Sequence, residues 1–234
     1  MAQQESAIIV GSGPGLSAAL GRLFSKEGMK VALAARDTKK LDALAKEING
    51  RAYACDAAVP KEVDALFEAV SRDLGVPGVV VYNASARARG ALVDLDPAEV
   101  QKTILVTCYG GFLVGQAAAK RMLAAGRGTI LFTGASASIK GFANSSAFAM
   151  GKMGLSGLVQ SMARELQPKN IHVAQVVIDG GIADATRGGE RLTARGADGF
   201  LDPDAIAQTY LHLHRQQRSS WASYIELRPW AEKF

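Results

Sequence analysis

Cysteine, histidine and tryptophan are scarce in this sequence of 234 residues, which contains two cysteines, three histidines and two tryptophans. Cys55 and Cys108 stand among mostly apolar neighbours, as buried free thiols do, and such thiols favour a reducing cytoplasm over a disulfide-forming compartment. The histidines have no cluster of cysteines or carboxylates around them in the sequence. The sequence therefore predicts neither a disulfide framework nor a metal site.

Long apolar runs are also lacking, since none approaches the roughly 18 residues that a membrane-spanning helix needs. Residues 1–7 are polar and do not have the charged-then-apolar layout of a signal peptide. These two absences predict a cytoplasmic protein that does not enter a membrane.

Runs of positive charge are missing as well. The formal net charge is +5, but lysine and arginine never occur in runs longer than two. Nucleic-acid-binding proteins concentrate their positive charge in patches or stripes. The dispersed charge therefore predicts no nucleic-acid partner, and it fits an anionic small molecule such as a phosphorylated cofactor.

Apolar, strand-like runs alternate with amphipathic helical patterns along the chain, of which 48% is hydrophobic. This alternation is typical of a parallel sheet covered by helices on both faces. Seven strands are predicted, at residues 7–10, 30–35, 51–55, 78–82, 128–132, 171–178 and 223–227. Two long helices are predicted at 97–123 and 144–166. Because no composition break or repeat interrupts this series, we expect a single domain over residues 1–234.

A glycine-rich turn follows the first strand and leads into the first helix. It reads Gly11, Ser12, Gly13, Pro14, Gly15 and Leu16. Such a turn lets backbone N–H groups approach a pyrophosphate at the positive end of the helix. The turn predicts a dinucleotide site on a Rossmann-type, doubly wound parallel α/β sheet, with Gly11 and Gly15 at the closest approach. The alternative is an ordinary tight turn.

The end of the second strand bears on which nicotinamide cofactor is bound. NAD-binding proteins usually place an acidic residue there to accept hydrogen bonds from the ribose hydroxyls. Here Ala35 is followed by Arg36, which can pair with a 2′-phosphate, so the sequence favours NADP(H) over NAD(H). Asp37 argues against this preference unless it caps the next helix.

Polar and small residues also follow the third and fourth strands. Asp56 is a candidate acceptor for the adenine amino group, and Asn83 and Ala84 are candidates for the cofactor's path. Each of the three can also be an ordinary turn or cap residue.

Taken in order, these motifs resemble the short-chain dehydrogenase/reductase family over nearly the whole chain. The turn is similar to the family's Thr-Gly-x-x-x-Gly-x-Gly, with Val10 and Ser17 in place of the threonine and the last glycine. Asn83-Ala84-Ser85 is similar to its Asn-Asn-Ala-Gly segment. The stretch from Phe148 to Lys152 resembles its Tyr-x-x-x-Lys motif, with phenylalanine at the tyrosine position.

The resemblance implies hydride transfer between a nicotinamide and a carbonyl or alcohol. Lys152 matches the lysine that holds the nicotinamide ribose. At the other catalytic positions the sequence departs from the family. Phe148 replaces the proton-donating tyrosine, Thr107 replaces the asparagine that supports a water relay, and Ala135 replaces the substrate-orienting serine, with Ser136 beside it.

These replacements predict weak or unconventional catalysis, because a phenyl ring has no proton to donate. Other hydroxyl groups near the motif can take over that role or can simply be caps and surface groups: Ser136, Ser138, Ser145, Ser146 and Tyr109. Lys152 can itself be the donor, although holding the ribose is the favoured role.

The region after the sixth strand is expected to meet the nicotinamide end and the substrate. After this strand Asp179-Gly180 stands where the family has Pro-Gly, and the resemblance implies that the Ile182 backbone contacts the carboxamide. Arg187, Arg191 and Arg195 recur every fourth residue, which fits either an anionic small-molecule substrate or a solvated helix face. The two long helices are apolar around much of their circumference. This pattern, together with the resemblance, predicts a homodimer or homotetramer.

Three functions remain open at this point. The favoured one is an NADP(H)-dependent oxidoreductase with an atypical active site, acting on an unidentified carbonyl or alcohol. The second is a catalytically silent nucleotide-binding protein that serves as a sensor or assembly partner. The third is non-redox chemistry, such as that of a lyase or isomerase, in the same pocket.

Overall fold

A computed structural model describes residues 4–183, 196 and 198–231. In this part of the chain seven strands form one sheet: β1 (Ser6–Val10), β2 (Lys30–Ala35), β3 (Arg51–Ala54), β4 (Val79–Tyr82), β5 (Gly128–Ala135), β6 (Ile171–Ile178) and β7 (Tyr224–Leu227). The helices that flank the sheet are α1 (Leu16–Lys26), α2 (Asp42–Glu47), α3 (Pro60–Leu74), α4 (Pro97–Ile104), α5 (Gly110–Ala125), α6 (Ser146–Leu166) and α7 (Pro203–Arg215).

The strand order is β3-β2-β1-β4-β5-β6-β7, and every pairing is parallel. The chain builds outward from β1 to β3 and then returns to place β4 on the other side of β1. Val10 at the end of β1 therefore lies between Ala34 of β2 and Tyr82 of β4. A crevice forms where the strand order reverses in this way, and doubly wound sheets bind ligands there. The predicted Rossmann-type α/β fold is confirmed.

The core lies on both faces of the sheet. Along β1, Ile8 and Val10 join the apolar cluster on the side of α3, α5 and α6. Ala7 and Ile9 join the cluster on the side of α1 and α7. Because both faces are covered, the strands read as continuous apolar runs rather than as alternating patterns, which is why the sequence reveals their positions.

The long helix predicted over residues 97–123 is interrupted. A π-helical turn, Leu105–Tyr109, separates α4 from α5. The buried Tyr82 hydroxyl donates a hydrogen bond to the Val106 carbonyl, which competes with the regular helical pattern. Gly110 follows the interruption, and a Cβ there would lie 2.5 Å from the Tyr82 hydroxyl oxygen. Such interruptions often occur at functional sites.

Strand β5 runs three residues farther than the sequence predicts. The prediction ended at Phe132 because Thr133, Gly134 and Ala135 are not strongly apolar. In the structure these residues pair with Val176, Val177 and Ile178 of β6. The extension carries the chain to the edge at which the catalytic residues are expected.

Cys55 is a buried free thiol, and Cys108 is a half-buried one. No helix among the described residues is long and apolar enough to cross a membrane. Within the same residues there is no group of three or more histidine, cysteine or acidic side chains that could hold a metal ion.

Candidate active site

A cavity of about 360 Å³ lies at the carboxyl ends of β1, β2, β3 and β4, where the strand order reverses. Its lining includes seven residues that the sequence predicts as cofactor contacts: Gly11, Ser12, Gly13, Arg36, Asp56, Asn83 and Ala84. The loops that follow β1, β2, β3 and β4 are far apart in sequence, and they meet at this cavity.

The glycine turn approaches the segment after β4 so closely that no side chain fits between them. A Cβ on Gly11 would lie 2.4 Å from the backbone nitrogen of Ala84, and Gly11 has a φ of 86°. The Ser17 hydroxyl donates to the Gly11 carbonyl at 3.2 Å and accepts from the Asn83 side-chain amide at 2.7 Å. These contacts hold the turn against the segment after β4.

Helix α1 begins at this turn without a side-chain cap. Gly15 is its N-cap with a φ of 77°, and no side chain of the described residues accepts from the first helical N–H groups as a cap. Leu16 is buried at the first helical position. Uncapped N–H groups and the positive end of the helix dipole fit a pyrophosphate, so the residues present here fit a dinucleotide.

Two cations lie at the rim of the cavity beside β2. Arg36 and Lys40 are both exposed, and both line it. The Asp37 carboxylate accepts from the Lys39 N–H at 3.0 Å in the following turn, and it does not line the cavity. Lys40 was not predicted as a cavity residue. It follows Arg36 by four residues, a spacing that can bring two side chains together.

The segment after β3 contributes Asp56 to the cavity wall. Its Oδ1 accepts from the Ala58 N–H at 2.9 Å, and its own N–H donates to Glu62 Oε2 at 2.7 Å. It is therefore a turn residue that also lines the cavity. Burial, reinforced by the charges of Glu62 and Asp56, raises the pKa of the neighbouring Cys55 thiol to about 12, so this thiol stays protonated.

A second group of residues lies toward β5 and α6. Lys152 is 3% exposed, and its Nζ donates to the Thr133 carbonyl at 2.7 Å. Phe148 lies one turn earlier on α6, with its ring centroid 5.9 Å from Lys152 Nζ. Arg87, from the loop after β4, places its guanidinium carbon 4.1 Å from the same centroid. Burial, with the added charge of Arg87, lowers the pKa of Lys152 to about 7.

Thr107 lies in the π-helical turn and clamps the loop that carries Arg87. Its Oγ1 accepts from the Ala86 N–H at 3.0 Å and donates to the Ala86 carbonyl at 3.3 Å. A side chain with both donor and acceptor capacity is needed for this double contact. The position thus keeps a polar role although it holds no asparagine.

At the end of β5, the hydroxyls that follow Ala135 are already engaged. The Ala135 N–H donates to Ser138 Oγ at 3.1 Å, and the Ser136 hydroxyl donates to the Asp179 carboxylate. Asp179 also forms an ion pair with Arg228 at 2.5 Å. Burial opposes ionisation of Asp179, but the Ser136 hydrogen bond and the charges of Arg228 and Lys140 hold its pKa below the usual value.

The segment after β6 is fixed by a short bridge. The Ala183 N–H donates to the Leu201 carbonyl, and the Leu201 N–H donates to the Gly181 carbonyl, both at 2.8 Å. Ile182 lies between these bonds, so its own N–H and carbonyl are not used by the bridge. Gly180 precedes it and packs under Pro229, where a Cβ would lie 2.6 Å from the proline ring. The three predicted arginines at 187, 191 and 195 lie outside the described residues.

Comparison with known proteins identifies the family. The family model of the short-chain dehydrogenases matches residues 5–192. The chain belongs to the short-chain dehydrogenase family. A relative, carbonyl reductase family member 4 of Danio rerio, is 30% identical over 215 residues, covering 88% of this chain and 90% of that protein.

Solved structures of other short-chain dehydrogenases are similar to this chain over nearly its whole length. One from Rhodopseudomonas palustris is 32% identical with a TM-score of 0.83 and covers 97% of this chain and 99% of its own. A metagenomic short-chain oxidoreductase in complex with NADP is 29% identical with a TM-score of 0.83, covering 98% and 99%. Short-chain dehydrogenases bind NAD(P)(H), and the glycine turn and uncapped helix of this chain fit that cofactor.

Proposed function

We propose that this short-chain dehydrogenase is an NADP(H)-dependent oxidoreductase of small carbonyl or alcohol compounds, with an active site in which Phe148 replaces the proton-donating tyrosine. The observation that carries the proposal is the combination of a cavity at the glycine turn with a phenyl ring one turn before the buried Lys152. The first feature supports cofactor binding, and the second supports weak or unconventional turnover.

The preference for NADP(H) rests on the rim beside β2. Arg36 and Lys40 supply two cations for a 2′-phosphate, Ala35 supplies no carboxylate, and Asp37 does not line the cavity. A guanidinium matches the geometry of a phosphate with paired donors, and an ammonium adds a point charge. The NADP found in the metagenomic relative agrees with this preference.

Lys152 is suited to hold the nicotinamide ribose. One of its donors is used by the Thr133 carbonyl, which fixes the ammonium at the carboxyl end of β5. Its remaining N–H groups can donate to ribose hydroxyls. When bound, NADP(H) supplies or accepts the hydride, and this chain positions the two reactants.

The proton supply is the weak point of the site. Phe148 has none to give, and the Ser136 hydroxyl already donates to Asp179. A positioned general acid contributes roughly 10²–10⁴ in rate. Reduction at a low rate, with solvent as the source of the proton, is therefore the expected behaviour.

Restoring the hydroxyl tests this function. Phe148→Tyr should raise the rate of NADPH oxidation with a panel of aldehydes and ketones, by up to about 10²–10⁴. Phe112→Tyr adds the same hydroxyl to a half-exposed ring on α5 and serves as the matched control, with no change in rate expected.

The other two functions make different predictions in the same assay. An unchanged rate in Phe148→Tyr, with NADPH bound and the fold intact, would reject the oxidoreductase and favour a silent nucleotide-binding protein. Product formation without any change in nicotinamide absorbance would favour non-redox chemistry instead.

A further inference from the structure

Thr107 stands at the position where the resemblance implies an asparagine that supports a water relay, but its contacts indicate a different task. We infer that Thr107 is a positioning residue whose hydroxyl fixes the loop after β4 as a wall between the cofactor cavity and Phe148. The inference deepens the proposed function and rests on it, because it concerns how the nicotinamide end of the cofactor is placed beside Lys152.

The hydroxyl of Thr107 is fully engaged by the loop. Its Oγ1 accepts from the Ala86 N–H at 3.0 Å and donates to the Ala86 carbonyl at 3.3 Å, and we call this pair of hydrogen bonds the clamp. A threonine hydroxyl has one proton, so this proton is not available to a relay while the clamp is formed. Thr107 is also 0% exposed, which separates it from bulk water. It therefore acts on the site through the Ala86 backbone.

The clamped loop borders both halves of the site. Just before the clamp, Ala84 and Ser85 line the cofactor cavity. Just after it, Arg87 places its guanidinium carbon 4.1 Å from the centroid of the Phe148 ring. A shift of the clamped backbone would therefore move the cavity wall and the surroundings of Phe148 together.

The two ends of this loop have anchors of their own. At one end the Asn83 side-chain amide donates to Ser17 Oγ at 2.7 Å, which ties the loop to α1. At the other end the Gly90 N–H donates to the Asn144 carbonyl at 3.2 Å, just before α6. The clamp holds the middle of the loop between these anchors. Its loss should therefore shift the middle of the loop without detaching the ends.

Thr107 is itself held from the other side by α6. A Cβ on Gly151 would lie 2.9 Å from the Thr107 Cβ, so the π-helical turn and α6 are in close contact there. Gly151 immediately precedes Lys152 on α6. The clamp therefore fixes the loop relative to the turn of α6 that carries the lysine. Positioning of this kind matters for rate, since a misplacement of about 1 Å can cost about 10²-fold.

Thr107→Val tests the inference, because valine keeps the shape of threonine and lacks its hydroxyl. The first measurement is hydrogen exchange of the Ala86 N–H, which should become at least about tenfold faster in the variant. The second is the fluorescence emission of bound NADPH, which reports the surroundings of the nicotinamide and should shift. The dissociation constant of NADPH should change little, because the glycine turn and the two rim cations are left intact.

Turnover with aldehydes and ketones supplies a third readout. Thr107→Val should lower kcat by about 10–100-fold and leave KM for NADPH nearly unchanged. Thr107→Ser keeps the hydroxyl and should restore most of the wild-type kcat, Ala86 exchange and NADPH emission. Thr103→Val is the matched control, since Thr103 is a buried threonine one turn earlier on α4, and it should behave as the wild type in all three readouts.

Thr107→Asn separates positioning from a proton relay. It restores the residue that the family has at this position, so a relay there would raise kcat, whereas a positioning role predicts no increase. An increase in Thr107→Asn, unchanged Ala86 exchange in Thr107→Val, or equal losses in Thr107→Val and Thr103→Val would overturn the inference.

Failure of this inference is distinguishable from failure of the proposed function. Turnover of Thr107→Val at the wild-type rate would reject the positioning role and leave the oxidoreductase standing. Faster Ala86 exchange and shifted NADPH emission in Thr107→Val, without NADPH oxidation by the wild type or by Phe148→Tyr, would reject the oxidoreductase and leave the positioning role standing.

Discussion

At the scale of single residues, Lys152 is an ionisable group placed where ionisation is costly. It is 3% exposed, and burial is the main cause that lowers its pKa from 10.5 to about 7. Between these two pH values the unfolded chain binds a proton that the folded chain does not. Its contribution to stability therefore rises with pH from about 7 to 10.5, and below pH 7 it no longer changes.

This linkage predicts a pH-dependent effect of Lys152→Met. The free energy of unfolding of the wild type, minus that of the variant, should increase by a few kcal/mol between pH 7 and pH 10, with a limiting slope of about 1.4 kcal/mol per pH unit. Urea unfolding at a series of pH values measures it. Lys102→Met, at an exposed lysine on α4, controls for the lysine-to-methionine change itself. A flat difference for Lys152→Met would show that the folded-state pKa is not lowered.

Single residues also show the limit of what the sequence reveals. The spacing of Phe148 and Lys152 is visible in the sequence because both lie on one helix. The contact between Arg87 and Phe148 is not visible, because it depends on the path of a loop that Thr107 holds from another helix. Lys40 was missed for the same reason, since its place at the cavity depends on the short turn after β2.

At the scale of elements, the turn after β1 and the turn after α5 place different demands on glycine. Gly11 has a φ of 86° and also lies against Ala84, whereas Gly126, at the end of α5, has a φ of 72° and nothing within 4 Å of an added Cβ. A non-glycine residue in the left-handed region costs about 1–2 kcal/mol by itself. The close approach to the Ala84 backbone adds a steric cost at Gly11 alone.

We therefore predict that Gly126→Ala lowers the free energy of unfolding by about 1–2 kcal/mol, and that Gly11→Ala lowers it by clearly more. Urea unfolding of both variants checks this. Gly13→Ala isolates binding from folding, because an added Cβ at this cavity-lining position has nothing within 4 Å. It should unfold like the wild type and bind NADPH more weakly. Equal losses of stability in Gly11→Ala and Gly126→Ala would contradict the close approach.

The elements that the sequence predicts well are those whose signal is local. Strands β2 and β6 have the predicted bounds because buried parallel strands form apolar runs bordered by turn residues. The predicted start of α4 at residue 97 is confirmed, and the Asp96 side chain caps it by accepting from the Ala98 N–H. The π-helical turn and the end of β5 could not be predicted, because a tyrosine from β4 and the pairing with β6 determine them.

At the scale of the whole molecule, the sheet topology brings the separate motifs to one edge. The glycine turn, the rim cations and the Asn83 segment meet at the cavity beside the reversal of strand order, while Lys152 and Phe148 lie next to β5. We also expect a homodimer or homotetramer. Several apolar side chains of α5, α6 and the π-helical turn are substantially exposed, and they could be covered by a second copy: Leu105, Tyr109, Phe112, Met150 and Met153.

Arg36 and Lys40, the two cations at the rim of the cavity, are expected to determine the preference for NADP(H). Arg36→Ala and Lys40→Ala should each weaken NADPH binding by about 10–100-fold and change NADH binding little, since each removes a charge-assisted contact to the 2′-phosphate. Lys39→Ala removes an exposed lysine of the same turn that does not line the cavity, and it should leave both affinities unchanged. Equal effects of Arg36→Ala on both cofactors would contradict a 2′-phosphate contact.

The most direct test of the central claim is a calorimetric titration of the wild-type protein with NADPH and, separately, with NADH. The account predicts that both bind and that NADPH binds at least about tenfold more tightly. Tighter binding of NADH, or no binding of either nucleotide, would contradict it.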